Sequence, residues 1–241
     1  LNPTTHLDLF TTHTQASYNT ILPPFTDPTA STRIRQFSRL HDFIVQYSDL
    51  SAGAFSPTKP LLLLGDLNVD ASANKTFREL PSHEFSLEYA VMIDVLRGDG
   101  VDPVVLGHSP DDSPTGKRIY ASPFRIPCLH DVMYEHTGTY PVTYGDVVIE
   151  DGQVVPAETV LTALKDQNTV QSLDRALFCE AATRETRMRL QGEESDDGES
   201  VLRGQDTTYE VKVTDARIEK FLVKNEKDVA DVLPFTQVSG K

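Results

Sequence analysis

Residues 7–13, LDLFTTH, alternate in character: Leu7, Leu9 and Thr11 fall on one face and Asp8, Phe10 and Thr12 on the other. That period of two, with β-branched Thr, predicts a strand that ends at His13. The Pro-rich ILPPFTDPTAST that follows reads as a connection, with Ser31 or Thr32 capping the helix RIRQFSRLHDFIVQYSDL. In that helix Ile34, Phe37, Leu40, Ile44 and Tyr47 recur every three to four residues and form one buried stripe. SAGAFSPTKP is a loop, and LLLL at 61–64 has no polar position at all, the pattern of a strand covered on both faces. It stops abruptly at GDLNVD. In SLEYAVMIDVLRG a second helix places Leu87, Val91, Met92 and Val95 on one face, with Gly98 as its C-cap.

Beyond residue 98 the periodicity fades. Residues 99–145, rich in Asp, Pro, Gly and His, read mostly as long loops. DVVIEDGQVV has the form of a hairpin around Asp151-Gly152, and SLDRALFCE at 172–180 is a strand. A charged run at about 190–206 reads as a solvated loop, and TYEVKVTDARIEKFLV contains a strand by alternation, followed by another or by a short helix. The order of elements is that of an α/β protein, and 241 residues are enough for one sizeable domain or two small ones.

Charge narrows the partners. Lys and Arg total 22 against 36 Asp and Glu, a net charge of −14, which repels phosphate backbones and argues against a nucleic acid partner. It also disfavours anionic membranes but says nothing against a zwitterionic headgroup. No apolar run approaches the length of a transmembrane segment. Two cysteines, Cys128 and Cys179, make no disulfide framework, and whether they pair is open.

The chemistry concentrates at LLLLGDLN. Gly65 lets the backbone turn or be closely approached, and Asp66 and Asn68 follow at i and i+2. If the extended conformation persists, both side chains share one side at the C-terminal end of a strand, where open α/β sheets build sites. Asp66 can orient or deprotonate a water, Asn68 can donate to a phosphoryl oxygen, and both suit the oxygen ligands that Mg²⁺ prefers. The same four letters also fit an Asx-rich turn. His13 alone is an ordinary strand-end histidine. However, one helix separates its strand from that of Asp66, and a strand-helix-strand crossover brings both ends to one edge.

TTHTQA, RIRQF, LLLLGDLNVD and SLEYAVMIDVL, in this order and spacing, resemble the endonuclease/exonuclease/phosphatase superfamily. YPVTYGD, ETVLT and SLDRALF resemble more narrowly its neutral sphingomyelinase (sphingomyelin phosphodiesterase) branch. The resemblance runs from about residue 7 to 239. It implies the C-terminal half of a four-layer α/β sandwich with mixed, mostly antiparallel sheets, and Mg²⁺-dependent hydrolysis of a phosphodiester by in-line attack of water. By resemblance Asp66 is the general base and Asn68 positions the phosphate. His13 stabilises the phosphoryl group, and Asp174 orders the site from a strand on which Arg175 replaces the usual tyrosine. The implied cofactor is Mg²⁺ near Asp66 and Asn68. The implied partner is a sphingomyelin-type phospholipid at a membrane surface, and the resemblance favours a secreted or membrane-peripheral location.

The resemblance also implies missing parts. The family's metal-binding Glu precedes the histidine strand, whereas Glu79, Glu84 and Glu88 all follow GDLN. Its closing Ser-Asp-His matches only at Ser239, before Gly240-Lys241. The expectation is one partial domain over 1–241 whose N-terminal half is absent, with one sheet face uncovered, weak Mg²⁺ binding and no activity of its own. Alternatives are a nuclease or inositol-phosphate phosphatase of the same superfamily, or a non-catalytic binding domain. His108, His130, His136, Asp131 and Cys128 match no zinc spacing and read as loop chemistry. EESDDGES lacks the spacing of a Ca²⁺ loop. Tyr140, Tyr144 and Phe124 either form an apolar rim towards lipid or pack loops.

Overall fold

A computed structural model describes residues 6–17, 23–48, 59–73, 83–109, 117–157, 159–160, 164, 169–181, 211 and 213–218. The acidic run at about 190–206, Glu79, the 51–58 loop and Ser239 lie outside them. The chain is mixed α/β. Strands β1 (Asp8–His13), β2 (Leu61–Asp66), β8 (Asp174–Cys179) and β3 (His130–Asp131) form one sheet in the order β1-β2-β8-β3. β1 and β2 are parallel, and β2 with β8 and β3 with β8 are antiparallel. β4 (Tyr144–Gly145) pairs with β7 (Val170–Gln171), and β5 (Val147–Glu150) with β6 (Gln153–Pro156), both antiparallel. The β5-β6 hairpin turns at Asp151 and Gly152, both at positive φ, as read from the sequence.

Helices α1 (Pro28–Tyr47) and α2 (Leu87–Arg97) build the core against the sheet. Ile34, Phe37 and Ile44 of α1 and Val91, Met92, Val95 and Leu96 of α2 are buried in one cluster with Phe10, Leu61, Leu63 and Leu177. The stripes read from the sequence need correction at their ends. Tyr47 and Leu87, at helix ends where the stripe drifts off the contact, are exposed, and Leu40 in mid-helix is partly buried at the margin of the core. α1 also starts earlier than Ser31 or Thr32. Pro28 occupies its first turn and Asp27 caps it, accepting from the amides of Thr29 and Ala30. α2 ends as expected with Gly98 as left-handed C-cap, and Ser86 is its N-cap.

Three further readings are corrected. Leu61 and Leu63 are fully buried, but Leu62 and Leu64 are half-buried and Leu9 beside them is 57% exposed; Phe178, opposite Leu62, is buried on that second face, so the Leu61 face carries most of the core and the other is covered only in part. Within 99–145 the chain also forms a 3-10 turn at Pro103–Leu106, β3 and a short helix α3 (Val132–Thr137). Helical pieces of four and six residues are too short to show the 3.6-residue period, and a two-residue strand shows no alternation. The described part of TYEVKVTDARIEKFLV, residues 211 and 213–218, has no regular structure, so the alternation there does not mark a strand in those residues. No helix among the described residues is long and apolar enough to cross a membrane.

Candidate functional site

The parallel crossover through α1 places His13 opposite Asp66, and the antiparallel β2-β8 pairing places Asp66 opposite Asp174. Cross-strand partners share a face, so three residues that lie 53 and 108 positions apart in sequence stand in one row at one end of the sheet. His13 Nε2 lies 3.6 Å from Asp66 Oδ2, with the imidazole 72% and the carboxylate 34% exposed. Asp174 is exposed as well. The row therefore faces water on the half-covered side of the sheet, where a ligand can reach it.

The turn after β2 is built by close approach. Gly65 has φ +151°, and a Cβ there would lie 1.9 Å from the Thr12 carbonyl oxygen, so only glycine permits this contact of β1 with β2. Beyond it Thr14 N–H donates to Asp66 O (3.1 Å) and the Thr14 hydroxyl to Leu67 O (2.5 Å). Asn68 departs from the extended geometry considered from the sequence. Its φ is +51°, a conformation that Asn tolerates, so the period of two stops at Asp66. Its backbone N–H donates to Asp66 Oδ1 (2.9 Å), and its Nδ2 donates to Thr14 O (2.9 Å). The Asx turn is thus real. It orients Asp66 and leaves Asn68 one side-chain N–H and its Oδ1 for other partners.

Sequence reasoning missed the groups that hold this row from beneath. Thr143 Oγ1 accepts from the amides of Leu173 (2.9 Å) and Asp174 (3.0 Å), fixing the start of β8. Asp70 Oδ1 accepts from Ser172 N–H (3.0 Å), tying the GDLNVD turn to the same point. Burial raises the Asp70 carboxyl above its usual range, opposed by the amides of Ser172 and Ser72 and by Arg175. On the other side Arg33, fully buried, pairs with Glu88 and donates to Gln15 O (2.7 Å), so RIRQF anchors the segment that follows His13. Burial also raises Glu88, with Arg33 opposing. All of these groups lie inside the segments that carry the resemblance (RIRQF, LLLLGDLNVD, SLEYAVMIDVL, YPVTYGD and SLDRALF), where no local pattern assigns them a role.

Asp66, Asp174 and the Asn68 carbonyl supply hard oxygen atoms, the chemistry that suits Mg²⁺, an ion that keeps several waters when few protein ligands are offered. Among the described residues no three His, Cys, Asp or Glu side chains converge as a ready metal cluster. Glu88 is committed to Arg33. Cys128 is joined to Cys179 in a disulfide with Cα atoms 5.1 Å apart, His130 pairs with Glu135 and His136 with Asp215, so the second histidine group is structural chemistry. Tyr140 is 3% exposed and stacks on Tyr134, whereas Tyr144 is exposed: the first packs a loop and only the second faces solvent. Compared with protein-family models, with curated proteins and with solved structures, the chain matches none.

Proposed function

We propose that the row His13, Asp66 and Asp174 is part of a Mg²⁺-dependent phosphodiester hydrolase site of the neutral sphingomyelinase type, on a four-layer α/β sandwich. The observation that carries this reading is the register: an imidazole and two carboxylates stand side by side on three adjacent strands, exposed, at the end of the sheet. In this reading Asp66, oriented by the Asn68 amide, accepts a proton from the attacking water as the water oxygen bonds to phosphorus, the ester P–O bond breaks and the leaving alkoxide takes a proton from solvent. His13, within reach of Asp66, donates to the phosphoryl oxygen as negative charge builds there. Asn68 donates its remaining side-chain N–H to a second phosphoryl oxygen, and Asp174 helps to order the site. Mg²⁺ held by Asp66 and Asn68 would supply charge neutralisation at the phosphoryl group. The half-covered face beside the row, with Leu9, Leu62 and Leu64, is where a second sheet of such a sandwich packs.

The net charge of −14 favours a lipid with a zwitterionic headgroup over nucleic acid. The test is a substrate panel with the protein expressed from the full reading frame that contains residues 1–241. Sphingomyelin, DNA and an inositol polyphosphate are each assayed with Mg²⁺ and with EDTA. Mg²⁺-dependent release of phosphocholine from sphingomyelin is the expected result. Hydrolysis of DNA or inositol polyphosphate alone selects the other superfamily activities, and no hydrolysis of any of the three favours a binding domain.

A further inference from the structure

Arg175 follows Asp174 on β8 and points the opposite way, into the protein, where it is 4% exposed. Its guanidinium lies over the rings of Tyr89 (5.6 Å) and Tyr140 (5.9 Å). Nη2 donates to the Ser172 carbonyl oxygen and to Ser172 Oγ (2.8 Å). Nε lies 3.8 Å from Asp131 Oδ2, beyond hydrogen-bond range, and Nη1 makes no hydrogen bond. A buried cation with two unsatisfied donors is a costly way to fill space. What it does hold is one point, Ser172, which also receives Ala71 N–H at its carbonyl and gives its own N–H to Asp70. Through Ser172 the turn after β2 and the start of β8 are clamped together. Leu67 N–H to Leu173 O (3.2 Å) closes the same junction.

We propose that Arg175 is a positioning residue that fixes the start of β8, and so the place of Asp174 beside Asp66, through its fork on Ser172. This rests on reading Asp174 as part of the phosphoryl-transfer site. A space-filling role between Tyr89 and Tyr140 predicts something different, because methionine fills the volume without the fork.

Amide hydrogen exchange on Arg175→Met and Arg175→Lys separates the two, with Mn²⁺ line broadening of the His13 ring signal as a second readout. The expected result in Arg175→Met is exchange about tenfold faster at Leu67, Leu173 and Asp174, with the β1-β2 ladder unchanged and a smaller effect in Arg175→Lys. The Mn²⁺ response at His13 shifts to at least about fivefold higher concentration in the Met variant. Unchanged exchange at these amides, or equal acceleration throughout the protein, overturns the proposal. If Arg175→Met does not fold, Arg175→Lys is judged alone, and parental exchange at Leu173 and Asp174 overturns it. A parent whose His13 signal ignores Mn²⁺ refutes the metal reading of the site, while exchange still decides the role of Arg175.

Discussion

His13 and Asp66 owe their 3.6 Å approach to backbone register, so replacing either side chain should leave the sheet in place. His13→Ala is expected to lower kcat by about 10²–10³, the usual cost of one transition-state donor, with KM nearly unchanged. A rise in KM with kcat unchanged would assign His13 to binding instead. Asp70 offers a test in stability. Its folded pKa is raised by burial, so the folded state binds that proton more tightly than the unfolded chain does. The resulting stabilisation is complete below the unfolded carboxylate value of about 3.9 and is lost as pH rises through the folded value. Urea unfolding of the parent and Asp70→Asn should show the parent's relative stability falling as pH rises from acid towards neutral. A constant or rising difference would contradict the burial argument. His13 and Asp66 were legible as partners because a parallel crossover dictates which strand ends meet. Asn68 was misread in part, because a left-handed residue leaves no mark on the periodicity.

The junction of β1 with β2 depends on one missing Cβ. Gly65→Ala forces that atom to 1.9 Å from the Thr12 carbonyl oxygen at a φ that L-residues avoid, and should cost about 3 kcal/mol in urea unfolding. A loss well under 1 kcal/mol would mean that the strands part easily there. Elements with a clear local pattern were readable and lie where those patterns put them: β1 by alternation, β2 by its apolar run, α2 by its stripe and C-cap, β8 and the β5-β6 hairpin by their β-rich residues and turn. The start of α1 was not, because Pro28 looks like loop chemistry although its fixed φ and absent N–H suit a first helical turn. β3 and α3 escaped for another reason. Their boundary is set by Asp131, which caps α3 with its own carboxylate while packing beside Arg175, a tertiary arrangement with no local signature.

Two covalent and electrostatic properties act on the whole chain. The Cys128–Cys179 disulfide closes a loop across 51 positions and ties the segment before β3 to the far end of β8. Reduction, or Cys179→Ser, should therefore lower stability by about 2–4 kcal/mol, read as the shift in urea midpoint with and without dithiothreitol. No shift would mean that the noncovalent core alone holds β8. Pairing was not legible because two cysteines fix no framework, and only the β3-β8 register brings them together. The half-covered sheet face was hidden for a related reason: LLLL carries no polar residue to mark which side is the more exposed. The central claim, a Mg²⁺-dependent phosphodiester site on the His13-Asp66-Asp174 row, is tested by phosphocholine release from sphingomyelin. The parent is compared with Asp66→Asn, both expressed from the full reading frame. Release that requires Mg²⁺ and falls at least about a hundredfold in Asp66→Asn is expected. Equal release by both proteins, or release that persists in EDTA, would contradict it.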